Sequence, residues 1–239
     1  YRDDIRKHIP EVDAVIGTYD LDAIGALCED RPVEAKPLVP YLYHDLTPRV
    51  LSTPRHFAYI KIAEGCDHPC SFCVIPQFRG KFRSRRFESV AAEAARLFSQ
   101  GVREINLIGQ DTTSYGEDLG IKDGLAHLLA RLAQIETPHR KWIRFLYAYP
   151  NRVTQKLLDT IATHESLVPY IDMPLQHASA SVLGRMKRGG SGDIFLKLLE
   201  RIRRTIPGIA IRTSMIAGFP GETAADFEEL CAFVRAAEF

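Results

Sequence analysis

Three of the chain's five cysteines lie within one short stretch, "EGCDHPCSFCVIP", from Glu64 to Pro76. They are Cys66, Cys70 and Cys73, spaced Cys-x-x-x-Cys-x-x-Cys. Thiolates at this spacing can surround one soft metal centre, either zinc or an iron–sulfur cluster. Structural zinc takes four protein ligands, and His68 is the candidate for the fourth. An iron–sulfur cluster held by three cysteines leaves one iron open to a small molecule. Reduced cysteines without a metal are the third reading.

The bulk composition is that of an ordinary globular protein. The 239 residues are 46% hydrophobic and 26% charged, which is enough to bury a sizeable core. Lys and Arg number 31 against 30 Asp and Glu, and this balance argues against a broad nucleic-acid-binding surface. No signal peptide and no apolar run of membrane-spanning length stands out. Because the cysteines are odd in number and clustered, we expect a reducing, cytoplasmic compartment and no membrane partner.

Strand patterns alternate with helical patterns from Pro54 onward. The strand candidates are Phe57–Gly65, Glu104–Gln110, Trp142–Pro150, Tyr170–Gln176 and Ile209–Pro220. Helical spacing follows each of them, over Phe87–Val102, Gly124–Ile135, Thr154–His164, Ser179–Met186 with Gly192–Ile206, and Glu222–Phe239. Such alternation predicts an α/β fold with a parallel sheet covered by helices, here about five β/α units of a partial barrel.

The chain before Pro54 is organised differently. Residues 1–28 read as a helix, a short strand over Val12–Gly17 and a second helix ending near Cys28. Prolines at 32, 37, 40, 48 and 54 exclude a long regular element, so we predict a linker over 29–54 and a core over 55–239. The chain starts without methionine and stops directly after a helical run. We therefore expect a fragment whose core is truncated at its C-terminal end.

Polar strings follow the predicted strands, at the end where parallel β/α folds place their chemistry. The cysteine stretch follows the first strand, and "GQDTTSYG", "AYPNR", "MPLQHAS" and "AGFPGE" follow the next four in order. Because all five polar strings lie at strand ends, we predict one composite site. A structural zinc would not explain polar strings at the ends of all five strands.

A Cys-x-x-x-Cys-x-x-Cys loop after the first strand of a partial β/α barrel, with Phe72 before its last cysteine, resembles the radical S-adenosylmethionine (SAM) superfamily. The resemblance covers about residues 54–239. It implies that Cys66, Cys70 and Cys73 hold a 4Fe-4S cluster whose open iron binds the amino and carboxylate groups of SAM. An electron donor such as flavodoxin would reduce the cluster, which then splits SAM into methionine and a 5′-deoxyadenosyl radical.

The resemblance also implies which other residues contact SAM. They are Phe72, Gly109, Gln110, Asp111, Gln176, Arg212, Ala217, Gly218 and Phe219. The stretch 109–111 takes the place of the motif that binds the methionine amine, and 217–219 the place of the adenine-binding backbone. Gln176 would lie near the ribose and Arg212 near the SAM carboxylate. A plain strand-to-loop turn and ordinary structural hydrogen bonds are the alternatives.

The string "SMIAGFPGE" departs from the superfamily's Gly-x-Ile-x-Gly-x-x-Glu pattern. Ser214 replaces the first glycine, and Glu222 falls one residue late. No role is therefore assigned to Glu222. His177, beside Gln176, is interpreted as a hydrogen-bonded structural histidine.

Longer strings, among them "IRFLYAYPNRVT" and "IRTSMIAGFPGET", resemble one family of this superfamily, the methylthiotransferases. "GQDTTSY" and "QHAS" favour the branch that adds a methylthio group to the β-carbon of an aspartate in ribosomal protein S-twelve, and they argue against a direct tRNA substrate. The resemblance implies an N-terminal methylthiotransferase domain with a second 4Fe-4S cluster, of which residues 1–28 would be the tail. A tRNA adenosine methylthiotransferase and a zinc-stabilised structural β/α module remain the alternatives.

Other groups receive a structural reading. The basic strings Arg79–Arg86 and Arg185–Gly192 are read as solvated faces, or as contacts for an acidic substrate segment or phosphates. Cys28 and Cys231 are read as small buried apolar residues.

Overall fold

A computed structural model of the chain describes residues 2–21, 23–29, 31 and 41–239. The strands are β1 (Phe57–Lys61), β2 (Ala63–Glu64), β3 (Arg83–Ser84), β4 (Glu104–Ile108), β5 (Trp142–Phe145), β6 (Tyr170–Asp172) and β7 (Ala210–Arg212). The α-helices are α1 (Arg2–His8), α2 (Ala23–Cys28), α3 (Ile75–Arg79), α4 (Phe87–Ser99), α5 (Gly124–Ala133), α6 (Gln155–Thr163), α7 (Ala180–Arg185), α8 (Gly192–Thr205) and α9 (Ala224–Ala237).

Two adjoining parallel sheets carry the fold. The first has the strand order β1-β4-β5, and Ile105 of β4 lies opposite Ala58 of β1 and Ile143 of β5. In the second sheet β6 pairs with β7. A parallel bridge between Ile143 and Leu167 joins the two. The predicted parallel β/α arrangement is confirmed for these strands.

One face of the first sheet forms the hydrophobic core. Ile60 of β1 and Leu107 of β4 lie opposite each other and are fully buried, in one core with Val90 and Ala94 of α4. Side chains alternate along a strand, so the residues between them face the other way. There Tyr59 is 40% exposed. The helices therefore cover one face and leave the other for polar groups.

The short antiparallel pair β2–β3 was not predicted, because two-residue strands are too short to show a sequence period. Ala63 lies opposite Ser84, and Glu64 lies opposite Arg83. This pairing ends the predicted first strand early. It also closes residues 65–82 into a loop that contains the three clustered cysteines and α3.

Several predictions for the N-terminal part can be compared with the structure. Val12–Gly17 is not a strand: its residues are irregular and exposed or half-buried. Without a neighbouring strand to pair with, a short apolar run cannot form a ladder. Residues 41–54 contain neither helix nor strand, as their prolines predict, whereas 32–40 lie outside the described residues. Cys28 is exposed and Cys231 half-buried, so the prediction of two buried apolar cysteines was wrong.

In the described parts of the chain, no helix is both long and apolar enough to cross a membrane.

Candidate functional site

The cysteine loop is tied to itself at its base. Gly65 leads into it with a φ of +81°, a conformation that glycine adopts at no steric cost. The Cys66 amide donates to the Gly80 carbonyl at 3.2 Å, and the Phe82 amide donates to Asp67 Oδ1 at 3.2 Å. These bonds hold the first cysteine close to the point where the loop returns to the sheet.

The tip of the loop is tied to the C-terminal end of α7. The Ser71 amide donates to the Met186 carbonyl at 3.0 Å, and Ser71 Oγ donates to the Arg185 carbonyl at 2.8 Å. The cysteine loop therefore packs on a segment more than one hundred residues away. Each of these four contacts uses at least one backbone group, which does not depend on residue type, so the sequence pattern did not reveal them.

We expect Gly65→Ala to disrupt the loop. A Cβ at Gly65 would lie 2.2 Å from the Lys81 carbonyl oxygen and 2.6 Å from that of Gly80. The substitution should lower the denaturation midpoint and the iron bound after anaerobic reconstitution. Gly208→Ala is the matched control, since its φ of +75° is also left-handed but nothing lies within 4 Å. Equal iron content and stability in the two variants would contradict this reading.

The three thiols share the loop and differ in exposure. Cys66 is 9% exposed, whereas Cys70 and Cys73 are half-buried. The Cys73 amide donates to the Cys70 carbonyl at 3.1 Å, which places both in one turn. Burial raises the pKa of the Cys66 thiol, and the negative charges of Asp111 and the other two cysteines add to the rise. A bound metal centre would favour the thiolate form of Cys66 against this rise.

No group of three or more His, Cys, Asp and Glu side chains among the described residues is arranged to hold a single metal ion. The donor set of three thiols with no fourth ligand fits a cluster with one open iron. It does not fit structural zinc, which needs four protein ligands.

His68 is engaged elsewhere. Its Nε2 lies 2.7 Å from Asp111 Oδ2, and its ring stacks on that of Tyr149 with 3.8 Å between centroids and 8° between planes. The structure therefore orients His68 toward the ends of β4 and β5. This arrangement counts against the zinc alternative, in which His68 would complete the ligand set.

Asp111 organises the loop after β4. The carboxylate is 3% exposed, and it accepts hydrogen bonds from the Thr113 amide at 2.9 Å and from Ser114 Oγ at 2.5 Å. Burial alone would raise the pKa of Asp111, but the hydrogen bonds from His68, Ser114 and Thr113 outweigh burial and lower it. The side chain of Asp111 is therefore occupied within the protein, and the implied contact of 109–111 with SAM stays a prediction.

We expect Asp111→Asn to lower the free energy of unfolding by about 1–3 kcal/mol at pH 7, because buried donors lose a charged acceptor. The pKa of Asp111 lies below its unfolded value of about 3.9. Its stabilisation is thus complete above that pH and disappears as the pH falls through the lowered pKa. Urea titrations from pH 7 to pH 3 should show the gap between wild type and variant closing. Asp159→Asn, on the exposed face of α6, should change little.

Gln110 carries an unsatisfied polar atom. Its Oε1 is buried and, within the described residues, has no hydrogen-bond partner. Buried polar atoms are seldom left unpaired unless a ligand or water completes them. Together with the backbone of 109–111, this atom fits a bound polar group after β4.

Gln176 joins the ends of β6 and β7 in a strained conformation. Its φ is +73°, its amide donates to the Ser214 carbonyl at 2.9 Å, and its carbonyl accepts from the Ile216 amide at 2.7 Å. A non-glycine residue in this region costs energy, and such residues concentrate at functional sites.

His177 is fully buried, and its Nδ1 accepts from the Ser179 amide at 3.0 Å. The interpretation of His177 as a hydrogen-bonded structural residue is confirmed. Its Nε2 lies 3.5 Å from Glu222 Oε1.

Glu222 anchors the loop after β7. Its Oε2 accepts from the Phe219 amide at 2.9 Å, so it fixes the backbone of 217–219. The ring of Phe219 meets that of Phe72 edge to face, with 6.4 Å between centroids. No role could be assigned to Glu222 from its position in the sequence, which is one residue late, yet the fold brings its carboxylate to this loop. Ala217 and Gly218 are exposed.

Arg212 has a structural partner. Its Nη1 lies 3.4 Å from Asp172 Oδ1, directly opposite in the β6–β7 pairing. The Arg212 side chain is 59% exposed, and the charge of Asp172 raises the pKa of Arg212. Its implied contact with the SAM carboxylate stays a prediction.

The basic string Arg79–Arg86 is only partly a solvated face, since Lys81 and Arg86 are exposed and Arg85 is buried. Arg85 is 1% exposed, and its Nη1 lies 2.7 Å from Glu93 Oε2 on α4. Arg79 Nε lies 3.8 Å from Glu64 Oε1. The reading of this string as solvated was therefore wrong for Arg85, because a buried carboxylate on the facing helix draws it inward.

The sequence profile of the Radical SAM superfamily matches residues 60–234. The match covers most of the chain, from the end of β1 into α9, and the chain belongs to this superfamily.

Similar proteins carry a more specific name. The chain is 79% identical over 239 residues to "Ribosomal protein uS12 methylthiotransferase RimO" of Solibacter usitatus (strain Ellin6076), covering 100% of the chain and 51% of the relative. It is 55% identical to the protein of the same name from Koribacter versatilis (strain Ellin345), covering 100% of the chain and 56% of the relative. The chain thus spans about half the length of the curated relatives it matches.

Solved structures share the fold at low identity. TsrM of Kitasatospora setae, a radical S-adenosylmethionine methyltransferase with cobalamin and a [4Fe-4S] cluster bound, matches with a TM-score of 0.61 and 18% identity over 76% of this chain and 35% of its own. The cobalamin-dependent S-adenosylmethionine radical enzyme OxsB matches with a TM-score of 0.59 and 14% identity over 75% of this chain and 26% of its own. The α/β fold of a radical SAM enzyme is therefore confirmed.

Proposed function

We propose that the chain is the radical SAM core of a methylthiotransferase that modifies an aspartate of ribosomal protein uS12. The observation that carries this proposal is the 79% identity, over every residue of the chain, to a protein named for that activity. Membership of the Radical SAM superfamily supports a reaction of the radical SAM class. We propose that this reaction takes place at the cysteine loop and the strand-end loops.

Cys66, Cys70 and Cys73 would hold a 4Fe-4S cluster. When bound, the cluster supplies one electron that splits SAM into methionine and a 5′-deoxyadenosyl radical. The loop contacts at Gly80 and Met186 hold the backbone of the loop that carries the three cysteines.

The remaining loops would bind SAM. We assign the methionine amine to the backbone of 109–111, since the side chain of Asp111 is already hydrogen-bonded. We assign the ribose to Gln176 and the SAM carboxylate to Arg212. We assign the adenine to the backbone of 217–219, where Glu222 accepts a hydrogen bond from the Phe219 amide. Phe72 and Phe219 would close one side of the site against water.

Transfer of the methylthio group needs more than this core. We propose that a second SAM supplies the methyl group and that a second 4Fe-4S cluster delivers sulfur from an N-terminal domain whose tail is residues 1–28. The 239 residues alone should then cleave SAM without completing the transfer. A low-potential electron donor such as flavodoxin, in the reducing cytoplasm, would supply the electron.

A tRNA adenosine substrate is the alternative outcome. The chain carries a net charge of only +1, which supplies little of the phosphate attraction that tRNA binding uses. The full-length enzyme should be incubated with ribosomal protein uS12 and, in parallel, with unmodified tRNA. We expect mass spectrometry to detect the methylthio group on a uS12 aspartate and not on adenosine. Modification of tRNA alone would overturn the substrate assignment and leave the radical SAM core intact.

A further inference from the structure

Arg188 lies directly beside one of the clustered cysteines. Its Nη1 donates to Cys70 Sγ at 3.5 Å, and its Nη2 donates to the Pro174 carbonyl at 3.0 Å. The side chain is half-buried. The sequence placed Arg188 in a basic string read as a solvated face, and the structure turns it inward toward the cysteine loop.

The guanidinium group of Arg188 is held by an aromatic contact as well. Its central carbon lies 4.6 Å from the centroid of the Tyr149 ring. The same ring stacks on His68 of the cysteine loop, and His68 contacts Asp111 after β4. Residues that follow four different strands therefore meet here, and they fix the position of the Arg188 charge relative to Cys70.

We propose that Arg188 is a positioning residue that makes reduction of the cluster more favourable through its fixed charge and its hydrogen bond to the Cys70 sulfur. This inference rests on the proposed function. Hydrogen bonds to the ligating sulfurs and the net local charge are among the factors that set the potential of an iron–sulfur cluster. Reduction adds one electron from a low-potential one-electron donor, without a proton, so the negative charge of the site increases by one. A cation at 3.5 Å from the sulfur stabilises that added charge.

The side-chain chemistry favours arginine at this position. Guanidinium stays charged at every pH at which a protein is folded, and its planar fork can donate in two directions while lying against an aromatic ring. Arg188 uses all of these properties, toward Cys70, Pro174 and Tyr149. Lysine would keep the charge but could not make the three contacts together.

The test is a reductive titration of the reconstituted chain, followed by electron paramagnetic resonance of the reduced cluster. We expect Arg188→Gln to lower the equilibrium constant for one-electron reduction about tenfold, which corresponds to a midpoint about 59 mV lower. Arg188→Lys should recover most of this loss because the charge remains. Lys187→Gln is the matched control, since it removes the same charge from the adjacent, exposed residue, and its midpoint should equal that of wild type.

Equal midpoints for Arg188→Gln and Lys187→Gln, at equal iron content, would overturn the inference. If Arg188→Gln binds no iron, Arg188→Met replaces it, because an unbranched apolar side chain can still pack on Tyr149. Failure of both variants to bind iron, while Lys187→Gln binds it, would assign Arg188 to assembly of the site and overturn its role in reduction. A wild-type chain that forms no cluster would instead overturn the proposed function.

Discussion

Cys70→Ala should abolish iron–sulfur cluster binding and, with it, reductive cleavage of SAM. The three thiols are the only protein ligands that the proposed site offers, and removing one leaves two irons without a protein ligand. The reconstituted variant should lose the visible absorption and the iron that wild type acquires. Its fold should survive, because Cys70 is half-buried at the tip of a loop rather than in the core.

Cys231→Ala is the control for this result. Cys231 is also a free, half-buried cysteine, but it lies on α9, outside the cysteine loop. It should bind iron and cleave SAM like wild type. Full cluster formation in Cys70→Ala would contradict the assignment of this residue as a ligand.

Arg85→Met should destabilise the chain by about 1–3 kcal/mol, because the buried Glu93 carboxylate loses one of its two arginine partners and keeps only Arg49, at 2.7 Å. Arg85 is 1% exposed, and Glu93 is 6% exposed and lies 2.7 Å away. Arg85 also donates to the Lys61 carbonyl at 2.9 Å, so it links β1 to α4 beside the base of the cysteine loop. Chemical denaturation of the two proteins measures the loss.

An exposed ion pair gives the matched comparison. Arg140 and Glu165 lie 3.3 Å apart with side chains 74% and 87% exposed, and Arg140→Met should cost less than about 1 kcal/mol. Arg85→Met with Glu93→Leu should recover part of the single-variant loss, since the buried carboxylate is then gone and its other partner, Arg49, has a side chain 33% exposed to solvent. A loss at Arg85 as small as that at Arg140 would contradict a structural role for the buried pair.

Long periodic elements could be predicted from the sequence because burial of one face determines them. The predicted helix at Phe87–Val102 forms as α4, and it ends before Gly101, whose φ is +92°. The run Val12–Gly17 has the apolar composition of a short strand, but it does not form one. A strand needs a partner, and hydrophobic content alone does not reveal whether the fold supplies one.

The candidate site could also be predicted in outline. Parallel strands bring their ends to one edge, so the polar strings after the strands were expected to meet, and contacts such as His68 with Asp111 show that they do. The direction of individual charged side chains could not be predicted. Arg85 and Arg188 both stand in basic strings, and only their tertiary partners, Glu93 and Cys70, turn them inward.

The most direct measurement is the detection of 5′-deoxyadenosine after the reconstituted 239-residue chain is reduced anaerobically with SAM present. If the chain is a radical SAM core, wild type and Cys231→Ala should each form one methionine for every 5′-deoxyadenosine. Cys70→Ala should form neither product. A chain that forms no iron–sulfur cluster, binds zinc tightly and leaves SAM intact would contradict the account.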